Sequence, residues 1–182
     1  MRGTLLKIAA TGLLAFAASA AAQTTIVRWD AIVGIRTPNL PAQQFTVAGI
    51  PPGCCVWSEG GRVTLNLRTE HVAIDARDIS RAIATGPSAM GAPVGPGRDR
   101  KAMFVCDARG IFGQTTVVAT ESFTLDETGS VNYRGFVSVP FACVEHPEET
   151  AFLMGTLGPD PAPDDLPAAY FAFGAARKLL GK

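Results

Sequence analysis

Apolar and polar residues alternate along several short segments of this chain. In the clearest case, 62–69, Val63, Leu65 and Leu67 are separated by polar residues. A period of two residues is typical of a β-strand that buries one face and exposes the other. Such segments favour antiparallel sheets with one solvated face. Further strands are predicted at 26–35, 43–50, 102–107, 115–125, 131–139 and 150–154.

Turn-forming residues separate these segments. The sequence Asp126-Glu127-Thr128-Gly129 lies between two strong strand patterns and predicts a hairpin, because glycine suits the left-handed position that ends a short loop. Short strands joined by Gly- and Pro-rich connections are typical of sandwiches and barrels. We therefore predict an all-β fold, an antiparallel, immunoglobulin-like β-sandwich of about seven to eight strands.

Some segments depart from the alternation. Between 72 and 84 the apolar positions follow helical spacing, which predicts one short helix. The Gly- and Pro-rich stretch 86–97 and the Pro/Asp-rich stretch 158–167 predict loops. Residues 168–180 are compatible with a final strand or with an amphipathic helix. The strand is favoured because Gly174 and neighbouring aromatic residues interrupt a helical pattern.

The first 22 residues have the composition of a secretory signal peptide. Arg2 and Lys7 precede an apolar run over 8–18, and small residues follow at 19–22. The run is shorter than the roughly 20 residues that a membrane-spanning helix needs. We therefore expect cleavage of 1–22 and a single mature domain, 23–182. We expect that domain to have no integral membrane segment and to be secreted to a periplasm or outside the cell.

The charge balance limits the classes of partner that are expected. The whole chain has 16 basic and 16 acidic residues, and the predicted leader removes two basic residues and no acidic ones. The mature chain has no basic stripe, so nucleic acid is not an expected partner. A protein or a small molecule is expected instead, and no cofactor is predicted. The ligand and the oligomeric state stay open.

Four cysteines remain in the mature chain: Cys54, Cys55, Cys106 and Cys143. An even number of cysteines in an oxidising compartment predicts disulfides. We favour a Cys106–Cys143 bridge, because each residue lies in or beside a predicted strand of one meander. Cys54 and Cys55 are adjacent in sequence. Three alternatives stay open for this pair: a vicinal disulfide, two free thiols, or a disulfide from each residue to a separate distant cysteine.

Residues with catalytic potential are few. His71 and His146 are the two histidines, each with glutamates nearby in sequence. A metal site would combine His146, Glu148 and Glu149 with the acidic loop 160–165. No histidine or cysteine ligand spacing typical of a metal site is present. Nor is there a Gly-x-Ser-x-Gly nucleophile motif. We therefore predict neither a catalytic residue nor a metal site.

The patterning resembles that of small exported β-sandwich modules of bacteria, without the signature of one family. The missing catalytic motifs, the near-neutral charge and the strand-rich build with its predicted disulfide favour a non-catalytic binding or envelope-associated module. Phe136 is the best candidate aromatic residue for a binding surface, because it falls on the polar side of its strand. One alternative is a secreted hydrolase with its site on the loops 70–101 and 140–149. The other is a redox or metal-handling protein that uses Cys54 and Cys55.

Overall fold

The computed structural model describes residues 24–35, 46–53, 56–57, 60–82, 90–93, 98–158 and 161–181. The predicted leader and the pair Cys54 and Cys55 lie outside these residues. The described strands are β1 (Thr24–Gly34), β2 (Val56–Trp57), β3 (Gly60–Asn66), β4 (His71–Arg77), β5 (Ser80–Ala82), β6 (Met90–Pro93), β7 (Arg100–Cys106), β8 (Thr116–Ala119), β9 (Val131–Phe136), β10 (Ala151–Thr156) and β11 (Tyr170–Gly181). A short helix, α1 (Phe141–Glu145), precedes a 3₁₀ turn (Pro147–Glu149).

Eight of these strands form one antiparallel and strongly curled sheet. Their order is β8-β7-β10-β11-β1-β3-β4-β9, and β2, β5 and β6 form a separate ribbon. The first and last strands, β1 and β11, pair at the middle of the sheet, with Val33 opposite Phe173. The predicted all-β, antiparallel class is confirmed. The immunoglobulin-like sandwich is not confirmed, because the eight strands belong to a single sheet.

The curl of the sheet encloses the main core. Trp29, Phe104 and Phe152 are each at most 1% exposed. Their ring centroids lie 5.7–5.9 Å apart, in tilted contacts. Inward-facing aliphatic residues from both halves of the sheet surround these rings. Because a closed or curled sheet covers its own inner face, this core forms without a second packed sheet.

A smaller apolar cluster lies on the other face of β7 and β10. There Met103, Val105 and Leu153 pack with Ile50 and Val47 of the segment 46–53. With apolar contacts on both faces, β7 is buried along its whole length. The strand predicted at 43–50 is not found in its described part, because 46–50 form a turn closed by a single bridge between Val47 and Ile50.

The short helix predicted near 72–84 is wrong. The described part of this segment forms β4 and β5, and Val72 and Ala76 face the core at strand spacing. Asp78 then has a φ of +51°. This left-handed residue returns Ile79 to the core, where it is 0% exposed. The resulting three-residue step between core positions resembles the spacing of a helix.

The hairpin predicted around Asp126–Gly129 is also wrong, although its turn forms. The N–H of Gly129 donates to the Asp126 carbonyl at 3.0 Å, and Gly129 has a φ of +79°. The flanking strands β8 and β9 nevertheless lie at opposite edges of the sheet. The connection crosses between these edges, and the rings of Phe123 and Tyr133 meet at 5.1 Å.

The predictions for the C-terminal region are confirmed in the described residues. Residues 170–181 form β11, which excludes the helical alternative. Before it, the segment 161–167 forms a loop that packs against Lys101. This lysine is 4% exposed, and its Nζ donates to the carbonyls of Asp165, at 2.9 Å, and Pro163. The loop predicted at 86–97 contains the short strand β6, and its other residues are not described.

We expect Gly129→Ala to lower the free energy of unfolding by about 2 kcal/mol more than Gly113→Ala does. Both glycines have positive φ, +79° and +70°, so both variants carry the cost of a left-handed backbone. A Cβ at 129 would overlap the carbonyl oxygen of Ile79, whereas a Cβ at 113 has open space. Urea denaturation of the two variants measures the difference. Equal losses would contradict the close packing of Gly129 on Ile79.

Candidate functional site

A disulfide joins the end of β7 to the short helix that follows β9. It links Cys106, the last residue of β7, to Cys143 of α1, with their Cα atoms 4.8 Å apart. The predicted pairing is confirmed, although Cys143 lies in a helix and not in a meander of strands. We call the loop 107–115, α1 and the turn Pro147–Glu149 the stapled end.

The carboxylate of Asp107 organises the loop 107–115. Asp107 is 0% exposed, and it accepts backbone N–H hydrogen bonds from Ile111 (2.8 Å), Phe112 (3.0 Å) and Gln114 (3.1 Å). Burial acts to raise the pKa of this carboxyl, but the hydrogen bonds outweigh burial and hold the pKa below its ordinary value. The carboxylate is therefore ionised at neutral pH, where it bonds three backbone N–H groups of this loop.

Two side-chain contacts hold this loop against the turn Pro147–Glu149. Arg109 forms a two-bonded ion pair with Glu149, which is 5% exposed. The hydrogen bond from Arg109 lowers the pKa of the Glu149 carboxyl. The ring of Phe112 stacks on that of His146, with centroids 3.5 Å apart and planes 7° apart. The disulfide, the ion pair and the stacked rings together connect every part of the stapled end.

Large apolar side chains remain in solvent at the stapled end. Ile111 is 56% exposed, Phe112 is 43% exposed and Phe141 is 67% exposed. Single exposed apolar residues are common on protein surfaces, and one such residue does not indicate a binding surface. Here two belong to the loop 107–115 and one to α1, which are held by a disulfide, a buried carboxylate and an ion pair. This combination is typical of a surface organised for contact with another molecule.

The Asp107 network predicts a specific response to pH. A folded-state pKa below the ordinary 3.8 means that the carboxylate contributes stability above pH 3.8, which is lost as the pH falls through the lowered folded value. In an NMR titration, we expect the amide signals of Ile111, Phe112 and Gln114 to move together only below pH 3.8. In Asp107→Asn the same signals should already be displaced or broadened at pH 7. Movement of the native signals above pH 3.8 would contradict this bonding.

A second polar region lies on the outer face of β1, β3 and β4. Asp30 is bonded by Lys178, at 2.6 Å, and by Arg28, at 2.8 Å, and the hydrogen bond from Lys178 is the main cause that lowers its pKa. Asp75 pairs with Arg134 at 3.2 Å. The pairs of Asp30 with Lys178 and of Asp75 with Arg134 cross neighbouring strands, whereas Arg28 lies on the same strand as Asp30. Each carboxylate is already matched by a cation.

Two hollows adjoin these ion pairs, at the end of β3 and β4 away from their connecting turn. One, of about 490 Å³, is lined by Asp30, Gly60, Gly61, Arg62, Asp75, Arg77 and Asp78. The other, of about 500 Å³, is lined by Asp75, Ala76, Arg77, Thr124, Leu125, Asp126, Ser130, Val131 and Asn132. Because Asp75 and Arg77 line both, we treat them as one feature, the Arg77 groove.

The structure separates the histidines considered from sequence. The ring of His71 meets that of Phe136 edge-on at 5.5 Å, and Phe136 is 68% exposed on the outer face as expected. His146 Nδ1 lies 3.3 Å from the Glu148 carboxylate, while Glu149 is engaged by Arg109. Among the residues with described positions, no three His, Cys, Asp or Glu side chains form a group that would hold a metal ion.

Sequence reasoning missed the residues that organise both regions. Asp107 is the last residue of a predicted strand, and the sequence Asp107-Ala108-Arg109-Gly110 has the composition of a turn. That signal predicts a turn, but it does not identify Glu149 as the partner of Arg109. Arg62 and Arg77 resemble ordinary outward-facing strand residues. Only strand pairing brings them to the same groove.

Comparisons with known families, curated proteins and solved structures find no match for this chain. In the part of the chain that the structure describes, no helix is both long enough and apolar enough to cross a membrane. The geometry of the stapled end and of the Arg77 groove therefore carries the functional argument.

Proposed function

We propose that this is an exported, non-catalytic binding module that docks a partner protein on its stapled end. The observation that carries the proposal is the exposure of Ile111 and Phe112 on the bonded loop 107–115 and of Phe141 on the disulfide-linked helix α1. Burying such side chains in a complex is favourable. Loops that are already ordered lose little conformational entropy on binding, which leaves more of that gain as affinity.

Two further features support this proposal. At the stapled end, the exposed ring of Phe112 stacks on His146, which orders this side chain. The signal-like N-terminus and the Cys106–Cys143 bridge are consistent with an oxidising compartment outside the cytoplasm. In the partner we expect apolar side chains that bury Phe141 and Ile111. Association of this module with the cell envelope is part of the proposal.

The test begins with a photo-crosslinking amino acid placed at Ile111 in cells that produce the protein. The same amino acid at Glu127, in the turn beside the Arg77 groove, is the control. We expect a discrete crosslinked protein from position 111 and none of the same mass from 127. The captured partner is then purified, and its affinity for the native protein is measured.

The decisive comparison uses two apolar-to-polar variants. Phe141 is 67% exposed and Leu166 is 45% exposed, so Phe141→Ser and Leu166→Ser should both fold. Removal of an interface anchor should weaken binding at least about tenfold in Phe141→Ser. Leu166→Ser should bind like the native protein. Equal affinities of the two variants, or no crosslink at 111, would overturn the proposal.

A further inference from the structure

The Arg77 groove is a polar surface that the proposed docking function does not use. Its floor includes Gly60, where a Cβ would meet nothing within 4 Å. In the pairing of β3 with β4, Gly60 lies opposite Arg77 and Arg62 lies opposite Asp75. The missing side chain at 60 therefore leaves open space between two arginine side chains on the same face of the sheet.

The ion pairs around this space leave positively charged side chains available to a ligand. Among the described residues Arg77 has no ion-pair partner, and Arg62 is 62% exposed with a single long contact of 3.7 Å to Asp30. Asp30 and Asp75 are already engaged by Lys178, Arg28 and Arg134. Because cross-strand diagonal neighbours lie about 7–8 Å apart, Arg62 and Arg77 are close enough to hold one carboxylate together.

The remaining lining residues indicate which chemical groups the rest of the ligand would have. Asp78 provides a carboxylate that accepts hydrogen bonds, and Thr124, Ser130 and Asn132 provide hydroxyl and amide groups. A bare inorganic anion would accept hydrogen bonds from the hydroxyl and amide groups, but it has no donor to offer the carboxylates and would be repelled by them. A molecule with many hydroxyl groups would donate to the carboxylates and bond to the neutral side chains.

The size of the groove indicates a ligand longer than one small ring. Each hollow has a volume within the range of small-molecule sites. Asp75 and Arg77 line both hollows, so the two are consecutive along the surface. An oligomer with one unit in each hollow would keep its anionic group beside Arg77.

We propose that the Arg77 groove binds an acidic oligosaccharide, with a sugar carboxylate held between Arg62 and Arg77 and sugar hydroxyls bonded to Asp75 and Asp78. This site is separate from the stapled end, so sugar binding here does not depend on the proposed docking function. The assignment concerns binding alone and includes no chemical step.

The experiment titrates the native protein with hexagalacturonate and with its methyl-esterified form, which has the same hydroxyl groups and no charge. We expect a dissociation constant of about 1 mM or lower for the acid form and at least about tenfold weaker binding of the ester. In NMR spectra the amides of Gly60, Gly61 and Asn132 should shift. Equal binding of acid and ester, no binding, or shifts confined to other residues would overturn the proposal.

Three exposed arginines provide matched variants. Arg62→Ala and Arg77→Ala should each weaken hexagalacturonate binding about tenfold or more, because each removes a charge-assisted hydrogen bond. Arg68→Ala removes the same charge in the turn between β3 and β4 and should bind within about twofold of the native protein. Similar losses in all three variants would mean non-specific attraction. Equal affinity for inorganic sulfate would likewise overturn the assignment to a sugar.

Discussion

Replacing both Cys106 and Cys143 by alanine is expected to lower the free energy of unfolding by about 4 kcal/mol. The bridge closes a loop with a sequence separation of 37, and it restricts the unfolded chain accordingly. Both residues are 0% exposed, and the hydroxyl of Thr150 donates to the Cys143 sulfur at 3.5 Å. The double variant therefore also loses packing beneath the stapled end. Urea denaturation under non-reducing conditions measures the change.

Reduction provides the control for this experiment. A reductant should lower the urea midpoint of the native protein towards that of the Cys106→Ala/Cys143→Ala variant. The same reductant should leave the variant unchanged if Cys54 and Cys55 are not bonded in a way that stabilises the fold. A further fall in the variant would assign a stabilising bond to that pair. An unchanged native midpoint after verified reduction would contradict the role assigned to Cys106–Cys143.

Gly174→Val is expected to cost about 3 kcal/mol, the second large effect. A Cβ at 174 would lie 2.5 Å from Cδ1 and 2.6 Å from Cγ of Trp29. Trp29 is 1% exposed and is in contact with Phe104 and Phe152, so it has no free space into which to move. The variant must therefore separate β11 from β1 or displace the centre of the core.

Gly181→Val is the matched control, since it places the same side chain at the far end of the same strand. A Cβ at 181 meets nothing within 4 Å, and we expect its urea midpoint to equal that of the native protein. The near-ultraviolet circular dichroism of the Gly174→Val variant should also change, because that signal reports aromatic packing. Matching midpoints for the two variants would show that Trp29 does not lie against Gly174.

Local patterns predicted the features of this protein that depend on near neighbours in the chain. The alternation at 62–69 identified β3, because a strand exposes every second residue whatever sheet contains it. The final strand was identified for a similar reason, since Gly174 and aromatic residues favour an extended chain over a helix. Where a left-handed residue interrupted the alternation, at Asp78, the same reasoning produced a false helix.

The sheet arrangement was decided by contacts between distant residues. A sandwich and a curled single sheet both bury alternate residues, so alternation does not distinguish them. The distinction depends on β1 pairing with β11, strands at opposite ends of the described chain. Likewise, the turn at Asp126–Gly129 was recognisable, but its flanking strands pair with β7 and β4 instead of with each other.

The features of the candidate sites also divide into those that sequence alone predicted and those that only the fold brought together. Sequence alone determined that this chain has four cysteines, an all-β pattern and a signal-like N-terminus, and it favoured the correct partner for Cys106. Only the tertiary structure brought Glu149 to Arg109, or Arg62 and Arg77 to one groove. The physical reason is that side-chain alternation is a property of each strand alone. Ion pairs and grooves depend on which strands and loops become neighbours, and that choice minimises the free energy of the whole fold.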